Sequence, residues 1–324
     1  MDRRQVLALL AVPAGPLPAL AQDLTPARPL PFRLRSRFWM NLHHVLAELV
    51  QTDSGLADWR QPHRWPDAEG QAWQAAQHRY REAFAEADIP FDERFQALRL
   101  ALLGVADGQP LPTLEPALRP FGHALEQAAG PYRRHLWSRH AALNEAWIHQ
   151  AQPLLGSHGQ RLRERLEAVL QPAMPEFLPV DVVACAANFA GAYTHPGPAH
   201  TIMPSTRKSY QGDASLEMLF HEACHTGMDS RLIRDINALL APRGLTDKRG
   251  LWHATQFFTV GHLTQRLLAE AGRTYEPYAQ RWRVLERAWG FAVTPLATHW
   301  QPYLEGRRSR DEALAALVFA SYPA

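Results

Sequence analysis

Apolar residues recur at helical spacing over most of the chain. Phe38, Leu42, Val45, Leu46 and Leu49 form one stripe, and Trp73, Ala76, Tyr80, Ala83, Phe84 and Ala87 form another. Steps of three and four keep such residues on one face of an α-helix. The pattern continues from Phe91 to Leu103, from Leu114 to Ala129 and from Tyr132 to Leu170, with breaks expected at Pro110, Pro112, Pro131, Pro153 and Gly156. Asp23 to Arg35 carries three prolines and reads as an extended lead-in. Residues 22–171 are therefore expected to form a helical lobe.

Between Pro172 and Ser205 the period changes. Val180 to Ala186, Gly191 to Thr194 and Thr201 to Met203 are β-prone, with His195-Pro196-Gly197-Pro198 as a turn between the last two. A helix is expected to open near Leu216, capped by Asp213 or Ser215, and to run to about Leu240, where Pro242 and Gly244 stop it. The next is expected from Asp247 to Ala271, ended by Gly272, with further helices from Tyr278 and Asp311. The pattern predicts an α+β fold, mainly α-helical, with a small sheet ahead of a central helix. Residues 172–324 make the second lobe.

At 324 residues and 46% hydrophobic, the chain can bury a large core. A formal charge of only +2, with evenly spread aromatics, gives no basic stripe, and nucleic acid is set aside as a partner. The N-terminus pairs Arg3 and Arg4 with a proline-broken apolar stretch to Leu20 and an Ala19-Leu20-Ala21 site. That order describes a signal peptide over residues 1–21, of Sec or twin-arginine type, and implies a periplasmic or secreted protein. The stretch is too short to span a membrane, so the mature chain is expected to have no span. Cys185 and Cys224 are expected as buried free thiols, with a disulfide as the alternative.

The chemistry concentrates at His221-Glu222-Ala223-Cys224-His225, which follows the apolar run Leu216 to Phe220. Residues four apart share a helix face, so His221 and His225 can grip one zinc ion while Glu222 reaches a water beside it. A chain with 16 histidines could hold this motif by chance. Its apolar flank argues otherwise, because buried imidazoles and a carboxylate need a shared partner.

Catalytic zinc needs a third protein ligand and keeps one position for water. The His-x-x-Gly-x-x-His extension of metzincins fails, since Gly227 comes one place early and Arg231 stands where the last His belongs. Gluzincins draw the ligand from a following helix. The helix from Asp247 to Ala271 offers His253, His262 and Glu270, and Glu270 lies too near its end. Nine steps at about 100° each put His253 and His262 half a turn apart, so a straight helix presents only one. His253 falls on the arc with Phe257, Val260 and Leu267 and is preferred, with His262 on its polar margin as the near-equal alternative. The segment Trp252-His253-Ala254 with Phe257 to Gly261 resembles an element of secreted bacterial gluzincin-like metallopeptidases, in which a Glu often occupies the place of His262.

Asp229 and Glu217, each four residues from a motif histidine, are candidates to orient an imidazole or to be ordinary helix carboxylates, Asp229 pairing with Arg231 or Arg234. His43 and His44 could reach the site or pack at a core margin. Tyr193, His195, His200 and Tyr210 are unranked candidates to steady an oxyanion. Neither a Gly-x-Ser-x-Gly element nor a glycine-rich phosphate loop occurs. The expected function is zinc-dependent hydrolysis of a peptide or protein substrate, with Glu222 as general base. The alternatives are a zinc hydrolase of a non-peptide amide or ester, and a periplasmic binding protein with a vestigial metal site.

Overall fold

The computed structural model describes residues 28–51, 65–171, 173–186 and 191–323. The signal peptide expected over residues 1–21 lies outside them. The described chain is mainly helical with one small sheet, the α+β arrangement expected from the pattern. No helix among the described residues is long and apolar enough to cross a membrane.

The sheet has four strands, β1 (Phe32–Arg35), β2 (Leu178–Val183), β3 (Tyr193–Pro196) and β4 (Ala199–Pro204), in the order β1-β2-β4-β3. β1 and β4 run parallel to β2, and β3 folds back antiparallel on β4 as an edge strand. β1 is the strand that the proline-rich lead-in hides. Four residues give too short an alternation to read, and pairing with β2, from Phe32 opposite Leu178 onward, makes them a strand.

Side chains alternate across the sheet, and a separate core lies on each face. On one side Val183, Ile202 and Tyr193 pack with α1 (Phe38–Gln51), α2 (Asp67–Phe84), α3 (Glu93–Leu102) and α4 (Arg119–Tyr132). On the other, Val180, Val182 and Met203 pack with every later helix, from α5 (Ser138–Leu154) and α6 (Gln160–Leu170) onward. The change of core thus falls near residue 137, ahead of the compositional change near 171, because Trp147, Leu162 and Leu166 belong to the same core as Met218 and Leu219.

Three of the expected breaks, Pro131, Pro153 and Gly156, do not end helices, and Gly156 lies within a π turn. Pro131 and Pro153 lie inside α4 and α5, and π turns follow at Arg133–Trp137 and Leu155–Gly159. A proline removes one backbone donor and crowds the preceding turn, and widening the next turn lets the helix continue. Pro295 repeats the device, at the end of α11 (Val284–Pro295) before a π turn over Leu296–Trp300.

The helix expected from Leu216 to Leu240 is two helices. α7 (Asp213–Cys224) stops at His225, and α8 (Met228–Leu240) begins after Gly227. Gly227 has a φ of 149°, a value that side chains oppose, so the chain turns there at little cost. The capping expectation also changes. Gly212 is the N-cap of α7, Asp213 pairs with Arg273 at 2.6 Å, and Ser215 Oγ donates to the Gly212 carbonyl at 2.7 Å. α9 (Leu251–Glu270) follows, with the Asp247 carboxylate accepting from the amides of Leu251 and Trp252 at 2.9 and 2.8 Å. Gly272 turns the chain after it, as expected. α10 (Tyr278–Arg281), α11, α12 (Gln301–Leu304) and α13 (Arg310–Ser321) complete the second core. Cys185 and Cys224 are free and buried, one in each core.

Candidate metal centre

α7 is buried from Ser215 to Cys224, and its last turn holds the motif. His225 is the C-cap of α7 with near-helical backbone, so it stays on the face of His221 although the helix ends there. The two Nε2 atoms are 3.3 Å apart. His253, on the first turn of α9, places its Nε2 3.3 Å from that of His221. Among the described residues, His221, His225 and His253 form the only cluster of three potential ligands whose donor atoms can meet at one ion.

The protonation of these rings follows from their surroundings. Burial lowers His221 well below the ordinary imidazole range, and takes His253 down to about 3. Both are neutral at pH 7. His225 Nδ1 stands 3.0 Å from Asp229 Oδ2, and a carboxylate can only accept, so Nδ1 carries the proton and Nε2 presents a lone pair. The Gln256 amide donates to that lone pair at 3.2 Å and to the His221 carbonyl at 3.1 Å. Asp229 therefore faces His225, while Arg231 pairs with Asp235 at 2.9 Å and Arg234 lies against Ser230.

Glu222 is buried beside this cluster. Its Oε2 accepts from Thr194 Oγ1 on β3 at 2.8 Å. Burial raises its pKa, and the neighbouring His225 and the Thr194 hydroxyl moderate the rise. Aromatic rings close the other side. Phe257 stacks on His221 at 3.7 Å, Trp252 stacks on His253 at 4.8 Å, and Trp289 meets His253 edge-on at 4.9 Å.

His262 is not part of the cluster. It lies further along α9, stacked on Phe258 at 6.0 Å, and burial takes its pKa down to about 4. The half-turn between His253 and His262 decides this, because α9 is one regular helix. Glu270 pairs with Arg161 and Arg165, each at 2.7 Å. Glu217 turns to the 275–278 segment, accepting from the Tyr275 hydroxyl at 2.6 Å and the Tyr278 amide at 3.0 Å.

No family model, curated protein or solved structure matches this chain.

His43 and His44 lie on the far side of the sheet, bound to Tyr80 at 2.9 Å and to Tyr193 at 2.8 Å. The same face takes three of the oxyanion candidates out of reach. Tyr193 serves His44, His195 shares the Tyr193 face of β3, and His200 joins a buried network with Arg99 and Asp181. Burial alone would raise Asp181, but hydrogen bonds from His200 and Arg37 hold it well below the usual carboxylate range. Arg37 reaches both its oxygens, at 2.7 and 2.6 Å. Tyr210 alone of the four packs in the same core as the apolar residues of α7, its ring 5.4 Å from Tyr278 and its hydroxyl 3.2 Å from the Ala192 amide.

Sequence reasoning missed Thr194, Gln256 and the aromatic wall as parts of the site. Gln256 and Phe257 follow His253 by three and four residues, so helical spacing carried a signal for both. Thr194 and Trp289 come from distant elements and carried none.

Proposed function

We propose that the chain is an exported zinc-dependent metallohydrolase that cleaves peptide bonds in peptide or protein substrates. The observation that carries the reading is the convergence of three imidazoles on one point beside a buried carboxylate. Two nitrogens bound at about 2.0–2.1 Å to a tetrahedral ion stand about 3.3–3.4 Å apart. The His221–His225 and His221–His253 contacts here are each 3.3 Å, which matches that separation, and all three donor atoms lie within 4.8 Å of one another. His221, His225 and His253 would hold the ion, with Asp229 orienting His225 through Nδ1 and the Gln256 amide giving up the Nε2 lone pair to the metal.

When bound, zinc supplies a Lewis acid and a water acidic enough to react near neutral pH. Glu222 is placed to take a proton from the attacking water and return it to the leaving nitrogen. Burial favours this exchange, since it keeps the carboxylate's proton affinity above that of a solvated acid. β3 is an edge strand whose Thr194 touches Glu222, so an extended peptide paired along it would pass the base. An extended backbone favours a peptide over a compact ester.

The test is metal analysis of purified protein beside cleavage of a mixed peptide library. One zinc per chain is expected, with cleavage lost in Glu222→Gln while the metal is retained. Equal cleavage by parent and variant would remove Glu222 as the base. Cleavage of small amides or esters but no peptide would move the substrate class.

A further inference from the structure

The carboxylate assigned as general base is held from the sheet as well as by its own helix. Thr194 Oγ1 donates to Glu222 Oε2 at 2.8 Å, and Thr201 Oγ1 lies 2.8 Å from Thr194 Oγ1. Each hydroxyl has a single proton, and an ionised carboxylate has none. Thr194 gives its proton to Glu222, which leaves only a lone pair for Thr201. Thr201 must then be the donor to Thr194. The chain therefore has one direction, Thr201 to Thr194 to Glu222.

We infer that Thr194 and Thr201 are positioning residues for Glu222, Thr194 by fixing the carboxylate directly and Thr201 by fixing the hydroxyl of Thr194. The inference rests on the reading of Glu222 as base. Three features of the backbone support it. Thr194 and Thr201 are directly paired across β3 and β4, so both side chains leave the same face of the sheet, toward α7. Thr201 is fully buried on an inner strand, which gives the chain a rigid anchor. Both residues are branched at Cβ, which limits the rotamers each hydroxyl can reach. A base held by its helix alone would keep the side-chain freedom of a glutamate, and that freedom lowers the fraction of time spent in line with the water.

The test compares Thr194→Val, Thr194→Ser, Thr201→Val and the Thr194→Val/Thr201→Val double variant. Valine keeps the branch and volume and removes only the hydroxyl. Crystal structures of parent and Thr194→Val are expected to show the Glu222 carboxylate displaced in the variant. With the peptide library, Thr194→Val is expected to lower kcat about tenfold with KM unchanged, the worth of one hydrogen bond to a charged group. Thr194→Ser should restore kcat to within about twofold, and Thr201→Val should show a smaller loss in the same parameter. The double variant should be no worse than Thr194→Val, because one cut already disconnects the chain. Equal loss in Thr194→Ser and Thr194→Val, or additive loss in the double variant, would overturn the proposal. If the parent cleaves nothing, the functional reading fails and the crystallographic comparison decides this one alone. An unmoved Glu222 carboxylate in Thr194→Val would then refute it.

Discussion

His225 Nδ1 and Asp229 Oδ2 stand 3.0 Å apart across a break in the helix that separates their residues. Four residues would place them on one face of a continuous helix, but the turn at Gly227 intervenes, and α8 brings the carboxylate back to the ring. The pair fixes the tautomer of His225, which a buried imidazole with a free Nδ1 would not have.

Asp229→Asn should keep the contact but lose its preference for the Nδ1–H tautomer. Zinc affinity is expected to fall about 10–100-fold, the usual effect of an altered partner behind a ligating histidine. Competition with a chromogenic chelator measures it, and an unchanged dissociation constant would return Asp229 to an ordinary surface role.

His253→Ala and His262→Ala should behave oppositely. The first removes one of three converging nitrogens, and zinc content should drop to near zero after desalting. The second leaves the cluster intact and should retain the metal of the parent. Elemental analysis of the two variants side by side decides, and loss in His262→Ala alone would reverse the assignment.

Gly227→Ala places a side chain at a φ of 149° with no neighbouring atoms to obstruct it, so backbone strain is the whole effect. A cost of about 1–3 kcal/mol is expected. A denaturant midpoint equal to the parent's would mean that the turn relaxes.

Glu217 gives a pH-dependent stability with a definite sign. Burial pushes it up to about 7, against the hydrogen bonds from Tyr275 and Tyr278. An unfolded glutamate titrates near 4.3. Between about pH 4.5 and 7 the folded protein keeps a proton that the unfolded chain has released, so stability from this group falls as pH rises through that window and is level above it. The change is on the order of 3 kcal/mol. Glu217→Gln is neutral in both states and should lose that part of the slope. Denaturant titrations of both proteins from pH 4.5 to 8 test it, and parallel profiles would contradict it.

Metal removal should itself destabilise the fold, because an ion that binds only where the three imidazoles are held together favours the folded state. Zinc at 100 times its dissociation constant contributes about 2.7 kcal/mol. A chelated sample should therefore melt at lower temperature, with recovery on adding zinc back.

Local pattern made much of the fold legible. Helical periodicity placed α1 to α3 within a few residues, and the shift to β-prone runs placed three of the four strands. These depend on burial of one face by neighbours in sequence, which spacing records. It could not show β1, whose four residues become a strand only on β2, nor the π turns that carry α4 and α5 past their prolines.

At the site the division is sharper. The order of residues alone determined that His221 and His225 share a face with Glu222 beside them, since helical geometry links positions four apart wherever they occur. It also determined that His253 and His262 could not both face the same point. Which one does was decided by the packing of α9 against α7, and the hydroxyl that meets Glu222 was decided by the pairing of β3 with β4. Contacts between elements far apart in the chain depend on how their surfaces fit together. Spacing within one element carries no record of that fit.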